Sequence, residues 1–339
     1  MKMVLGQQNA IESLLKSAAG ERRHHAWIFC GPMGVGKCTT AVRFSALLLN
    51  MGGANPGSHP DHHLIRKEDV IWAQNPALQK RKQTNIPLDL LRERMIGGKT
   101  SDGKQHDAPV FKTPVLGKEK VFIIDEAELL DDSGQNALLK TLEEPPVRTT
   151  IILVTSRDDL LLPTVQSRCQ TIRFSELDSR SMDEWVKAGQ FKESVDVINW
   201  CLGFSCGSPG LFCEALEAGL PELANNVRDF LCFNKTDNYS VVSAELVRFV
   251  ESNVARWIKE NPHTSKEAAN RRAVNLLLLL FGMHARQFVR GSDCALGLAV
   301  AGVLSDVELQ LSTNISIKVL VESLATRWAC LCVGDSVFI

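Results

Sequence analysis

The sequence predicts an α/β domain built on a parallel sheet, followed by a small helical domain and a larger all-α domain. Three observations predict it. Residues 27–30, 121–124 and 151–155 are short, continuous apolar runs bounded by Gly, Asp or Ser. Runs that are apolar on both faces suit a parallel sheet covered by helices. Stretches of helical character at 37–50 and 133–144 alternate with those runs, as β-α units do. From Ser175 onward the strand pattern stops and helix-length segments take over.

The elements follow in order. The run at 27–30 leads through glycines into the helix at 37–50. The run at 121–124 ends on Asp125 and Glu126, and 151–155 and 171–174 read as two further strands. Residues 178–187, 194–203, 209–218 and 221–230 are helix-length segments with short polar or Gly/Pro breaks. Longer helices are expected at 241–260, 264–288, 294–311 and 317–333. Domain boundaries are placed at 1–175, 176–221 and 222–339. No internal repeat is visible.

Composition agrees with a folded chain. Of 339 residues, 45% are hydrophobic and 23% charged, which excludes a low-complexity protein. Lys and Arg number 38 against 39 Asp and Glu, a formal net charge of −1, so any nucleic-acid surface must be local. The longest apolar runs, 274–283 and 295–304, fall short of the roughly 18 residues a spanning helix needs. Gly6, Gln7, Gln8 and Asn9 break any signal-peptide core, and cytoplasm is the expected compartment. The ten Cys read mainly as buried free thiols.

Two motifs carry chemistry together. Gly31-Pro32-Met33-Gly34-Val35-Gly36-Lys37-Cys38 follows a strand and opens a helix, the setting of a phosphate-binding P-loop. Its backbone N–H groups and the helix N-terminus favour an anion, and Lys37 would reach the outer phosphates. The pattern wants a hydroxyl after the lysine to serve Mg²⁺. Cys38 stands there, with Thr39 one position late, and a thiol is a poor ligand for a hard cation. About 90 residues on, the strand at 121–124 delivers Asp125 and Glu126. In P-loop ATPases such a pair holds Mg²⁺ and polarises water.

Other features are weaker alone. Ser167-Arg168-Cys169 follows Leu162-Pro163-Thr164, where Pro163 should interrupt a helix near a domain edge. Residues 79–120 hold ten Lys or Arg against five Asp or Glu, and read as a short amphipathic helix at 86–94 within a long surface loop. That local +5 suits a solvated loop or a contact with DNA or an acidic partner. His59, His62 and His63 cluster, but no Cys lies between Cys38 and Cys169, so no zinc knuckle and no metal site are expected there.

With these motifs in place, the chain resembles the bacterial clamp-loader AAA+ family, and most closely its DNA polymerase III delta-prime branch. Leu5-Gly6-Gln7, His25-Ala26-Trp27-Ile28-Phe29, His59-Pro60-Asp61 and Ile124-Asp125-Glu126-Ala127-Glu128 resemble family motifs. So do Ala137-Leu138-Leu139-Lys140-Thr141-Leu142-Glu143-Glu144-Pro145-Pro146, Thr155-Ser156 at sensor 1, Ser167-Arg168-Cys169, and Gly207-Ser208-Pro209-Gly210 at the sensor 2 helix. The resemblance spans residues 5–210. Beyond 222 it rests on helical character alone.

The resemblance implies an AAA+ P-loop domain, a helical lid and a C-terminal collar domain that packs with other subunits. It implies Gly31, Gly34, Gly36, Lys37, Cys38, Thr39, Asp125, Glu126 and Thr155 as the nucleotide-site residues. Departures matter as much. Residues 51–63 stand where many relatives carry a four-Cys zinc module, so no zinc is expected. Leu211 stands where ATP-using relatives carry the sensor 2 Arg. ATP is therefore expected to bind weakly or not at all, with Mg²⁺ only alongside nucleotide. Arg168 is kept, and the resemblance implies an arginine finger acting in trans on a neighbour's ATP. The implied partners are gamma/tau and delta subunits in a hetero-pentamer, the sliding clamp, and primed DNA through the assembly, with no membrane. The rival readings are a motor ATPase in which Thr39 replaces Cys38, and an adaptor that binds no nucleotide.

Overall fold

In a computed structural model, residues 4–19, 24–52, 54–117, 119–234, 239–290, 294–311, 313 and 315–333 are described. They form two compact units. One contains the residues up to Lys192 together with Cys206–Leu211. The other contains Glu193–Ser205 and the residues from Phe212 onward.

Strands of the first unit are β1 (Ala26–Cys30), β2 (His62–Ile65), β3 (Gly98–Lys99), β4 (Gln105–His106), β5 (Lys120–Ile124), β6 (Thr149–Thr155) and β7 (Gln170–Arg173). β3 and β4 make a small antiparallel ribbon. The other five form one sheet in the order β2-β5-β6-β1-β7. Every pairing in that sheet is parallel. β6 thus lies between the P-loop strand β1 and the acidic strand β5. In such a sheet, ligands bind beyond the carboxyl ends of the strands. The P-loop, Asp125 and Thr155 all lie at those ends.

Alternation along the strands explains their unbroken apolar character. Ile28, Phe122, Ile124, Ile151 and Leu153 pack into a core on one face. Trp27, Phe29, Val121, Ile123, Ile152 and Val154 pack into a second core on the other. Helices α1 (Gln8–Ala19), α2 (Lys37–Leu48), α3 (Pro76–Gln79), α4 (Leu88–Leu91), α5 (Asp132–Glu143), α6 (Pro163–Gln166) and α7 (Ser179–Gly189) accompany the sheet. Phe44 of α2 fills the second core, and Leu138 and Leu142 of α5 fill the first. Asp131 starts α5 by accepting the Gly134 N–H at 2.7 Å, a side-chain cap.

Two expectations are corrected here. Pro163 does not interrupt a helix. It opens α6 at the first helical position, where its missing N–H costs nothing. The 79–120 stretch is not a surface loop around one short helix. Ile86, Leu90, Leu91, Met95 and Val110 are buried in the first core, and a single π turn, Arg92–Ile96, follows α4. Two buried charges pin the end of the stretch. Asp61 accepts the N–H groups of Val115, Leu116 and Gly117 at 2.6, 2.9 and 3.0 Å. Lys120 donates to the carbonyls of Pro109 and Lys112.

The second unit is helical. It comprises α8 (Val195–Ser205), α9 (Pro209–Ala218) from Phe212 on, α10 (Leu220–Asn226) and α11 (Arg228–Leu231). Four long helices follow: α12 (Tyr239–Glu260), α13 (Lys266–Arg290), α14 (Cys294–Gln310) and α15 (Ile317–Val333). The single helix expected at 221–230 is divided at Val227. α12 and α14 each pack against both α13 and α15, which closes a four-helix bundle. Its core includes Phe281 set edge-on to Trp328 at 4.7 Å. No described helix is long and apolar enough to cross a membrane. Nine cysteines, Cys30, Cys38, Cys169, Cys201, Cys206, Cys213, Cys232, Cys294 and Cys330, are free, and of these only Cys30 and Cys201 are buried, fewer than the sequence suggests.

Candidate functional site

The P-loop is shaped by backbone conformations that favour glycine. Gly31, Gly34 and Gly36 have φ of 145°, 77° and 97°. A Cβ on Gly31 would strike the Phe174 carbonyl, and one on Gly34 would strike Ser208. Gly36 caps α2, so Lys37 begins the helix. The Lys37 ammonium is buried and donates to the Gly31 and Pro32 carbonyls at 2.7 and 2.6 Å. Burial lowers its pKa, against the pull of Glu128 and Asp125.

The acidic strand end is built differently from the sequence expectation. Ile65 of β2 pairs with Ile124 of β5, so the next residues of each strand, Arg66 and Asp125, lie side by side. Arg66 Nε is 3.5 Å from Asp125 Oδ2, and its Nη2 donates to Cys38 Sγ at 3.7 Å. Burial and the neighbouring Asp125 push the Cys38 thiol up to about 12, so it stays protonated at neutral pH. Lys67 is 2.8 Å from Glu126 Oε1 and 2.7 Å from Oε2. Both carboxylates that could hold metal and polarise water therefore have a cationic partner within the chain. A thiol and two carboxylates already paired in this way are a poor ligand set for a hard divalent cation.

Sequence reasoning missed Arg66 and Lys67. The one available signal was two adjacent basic residues just after a short semi-polar strand, and nothing in their spacing points to β5. Cys38, Thr39, Arg43, Asn55, Arg66 and Asp125 line a cavity of about 1180 Å³ beside α2. Thr39 is exposed there. Thr155 is buried, and its hydroxyl accepts the Arg157 N–H at 3.0 Å. Ser156 donates to Glu128 through its hydroxyl at 2.6 Å and its N–H at 3.0 Å.

The segment before α9 seats on the tip of the P-loop. Ser208 Oγ donates to the Met33 carbonyl at 2.8 Å, and the Gly210 N–H donates to the Gly34 carbonyl at 2.9 Å. A Cβ on Gly210 would come within 2.6 Å of Gly34 Cα, so this approach needs glycine on both sides. Leu211 follows and donates its N–H to Ser208 Oγ. Gln7 secures the other flank, with its amide donating to the Ser175 carbonyl at 2.7 Å and the Val35 carbonyl at 3.4 Å.

Arg168 lies apart from this pocket in the chain, just after α6. Its guanidinium donates to the Thr164 carbonyl at 2.8 Å and pairs with Glu143 at the end of α5. The Arg168 side chain is 33% exposed and that of Glu143 is 48% exposed. The ion pair links Ser167-Arg168-Cys169 to the Leu142-Glu143-Glu144-Pro145 segment, two motifs that the sequence leaves unconnected.

A parallel sheet with β6 inserted between the P-loop strand and the acidic strand defines a P-loop domain of the AAA+ class. A family model described as DNA polymerase III, delta subunit, matches residues 6–178, and the chain belongs to this bacterial clamp-loader family. It is similar to the DNA polymerase III subunit gamma of Buchnera aphidicola, 28% identical over 59% of this chain and 52% of the relative. It is also similar to the DNA polymerase III subunit delta' of Pseudomonas aeruginosa, 28% identical over 58% of each chain. The subunit delta' of Bacillus subtilis is 28% identical over 52% of this chain and 50% of its own length. The matched region spans about half the length of these curated relatives.

Proposed function

We propose that this chain is a delta-prime-like subunit of a replicative clamp loader, with a catalytically silent nucleotide pocket and an arginine finger for its neighbour. One observation carries the reading: Asp125 and Glu126 are each paired with a cation of the chain itself, Arg66 and Lys67. Cys38 in place of a hydroxyl and Leu211 in place of the sensor 2 Arg support it. The names of the Pseudomonas and Bacillus relatives also support a delta-prime role. In this reading the pocket binds ATP weakly or not at all, and Mg²⁺ only with nucleotide. Arg168 swings from Glu143 to the phosphates of ATP on an adjacent gamma/tau-type subunit, where its planar fork matches phosphate oxygens. The assembly, which also includes a delta-type subunit, places a sliding clamp on primed DNA in the cytoplasm, and the helical second unit supplies subunit contacts.

The test begins with the isolated chain. It should show no ATP turnover above background, with or without Mg²⁺. A rate near about 1 s⁻¹, at the low end of ordinary enzymes, would contradict the silent pocket and favour a motor ATPase.

A further inference from the structure

The metal position of the P-loop fold does not suit a metal in this chain, and that disagreement has a definite structural form. β2 and β5 end in register, which sets two consecutive basic residues against two consecutive acids. Arg66 faces Asp125, with its other arm on Cys38, the residue that replaces the metal-binding hydroxyl. Lys67 grips both oxygens of Glu126. Glu126 adopts a left-handed conformation, φ 52°, uncommon for a residue other than glycine, which aims its side chain from a tight turn. A guanidinium carries five donors in a fixed fork and stays protonated, so it satisfies a carboxylate and a thiol together without recruiting an ion.

We infer that Arg66 and Lys67 are the resident cations of this site and exclude a free divalent ion from it in the absence of nucleotide. The inference deepens the silent-pocket reading and rests on it. It adds that the exclusion comes from the basic pair and not from Cys38 alone. Restoring the missing hydroxyl would leave Arg66 still on Asp125. Removing the two cations frees both carboxylates at the carboxyl ends of the sheet, where a hard cation finds oxygen ligands.

Mn²⁺ alone, without nucleotide, is the probe, with free ion followed by electron paramagnetic resonance on the full chain. Wild type and Cys38→Thr should show no saturable site that depends on Asp125. Cys38→Thr combined with Arg66→Ala and Lys67→Ala should bind Mn²⁺ at least about tenfold more tightly, as expected when positive charges leave contact distance of the ligands. Adding Asp125→Asn should abolish that binding. Thermal melting checks folding, and Arg66→Gln with Lys67→Gln replaces the alanine pair if it melts early. A Cys38→Thr protein that binds Mn²⁺ by itself would overturn the inference. So would a folded triple variant that binds none, or a wild-type site abolished by Asp125→Asn. ATP turnover of the wild-type chain, measured in parallel, reports on the silent-pocket reading separately.

Discussion

In the pocket behind the P-loop, Lys37 is held by two loop carbonyls, Asp125 by Arg66 and Glu126 by Lys67. At the end of α6, Arg168 has one carboxylate partner, and both side chains of that pair are a third or more exposed to solvent. The two regions are built from the same residue types. Lys37 alone among the pocket cations is buried, and a buried, doubly bonded charge is costly to disturb because removing an acceptor leaves it unsatisfied. The Arg66 and Glu126 side chains are 46% and 42% exposed, so their ion pairs are partly solvated, as that of Arg168 is. An exposed pair is worth about 0–1 kcal/mol and exchanges its partner cheaply. On the proposed reading the pocket cations keep their partners within the chain, whereas Arg168 exchanges Glu143 for a phosphate brought by another subunit.

The comparison breaks first if the pocket is easily perturbed. Gly34→Ala places a Cβ against Ser208, Gly210 and Leu211 in a left-handed backbone. Overpacking and the backbone penalty together should cost about 2–4 kcal/mol and lower the melting temperature by several degrees. Unchanged melting would mean that the 207–211 segment is not seated on the loop.

A smaller effect should come from His63, which stacks on Phe122 with ring centroids 4.4 Å apart. Burial, reinforced by Lys120 and His62, lowers its pKa from 6.5 to about 4. Between those values the unfolded chain binds a proton that the folded chain does not. Stability should therefore fall as pH drops from about 6.5 toward 4, by at most about 1.4 kcal/mol per pH unit from this residue. His63→Gln should flatten that part of the profile. Urea midpoints at pH 7 and pH 5 compare the two proteins, and identical slopes would refute the assignment.

The smallest effect on stability is expected at Arg168. Arg168→Ala removes one exposed ion pair and one bond to the Thr164 carbonyl. It should cost no more than about 1 kcal/mol, a shift of a few degrees in melting.

How much of this could be read from the residues depends on which interactions are local. Gly31 to Lys37 was legible because strand, glycine turn and helix start are contiguous, and each position has its own conformational demand. The end of β5 before Asp125 and Glu126 was legible because the apolar run at 121–124 stops at two acids. Arg66 and Lys67 were not, because their meaning depends on register between strands about 60 residues apart. β2 is also only four residues long and half-buried, too short for a periodicity signal. The 79–120 stretch was misread for a related reason. Gly97-Gly98 and Gly103 interrupt every pattern, while Met95 and Val110 reach the core from turns with no repeating period.

The claim that Arg168 serves a neighbour's site is tested most directly by clamp-stimulated ATPase of a reconstituted loader. Wild-type chain would be compared with Arg168→Ala, and each subunit's melting and entry into the complex recorded alongside. The expected result is a variant that melts near wild type and assembles normally, while turnover at the one site it faces falls by about 10³-fold or more, the scale of other arginine fingers. A variant that melts many degrees lower while the assembled loader's ATPase is unchanged would contradict the account, and would make Arg168 a structural partner of Glu143.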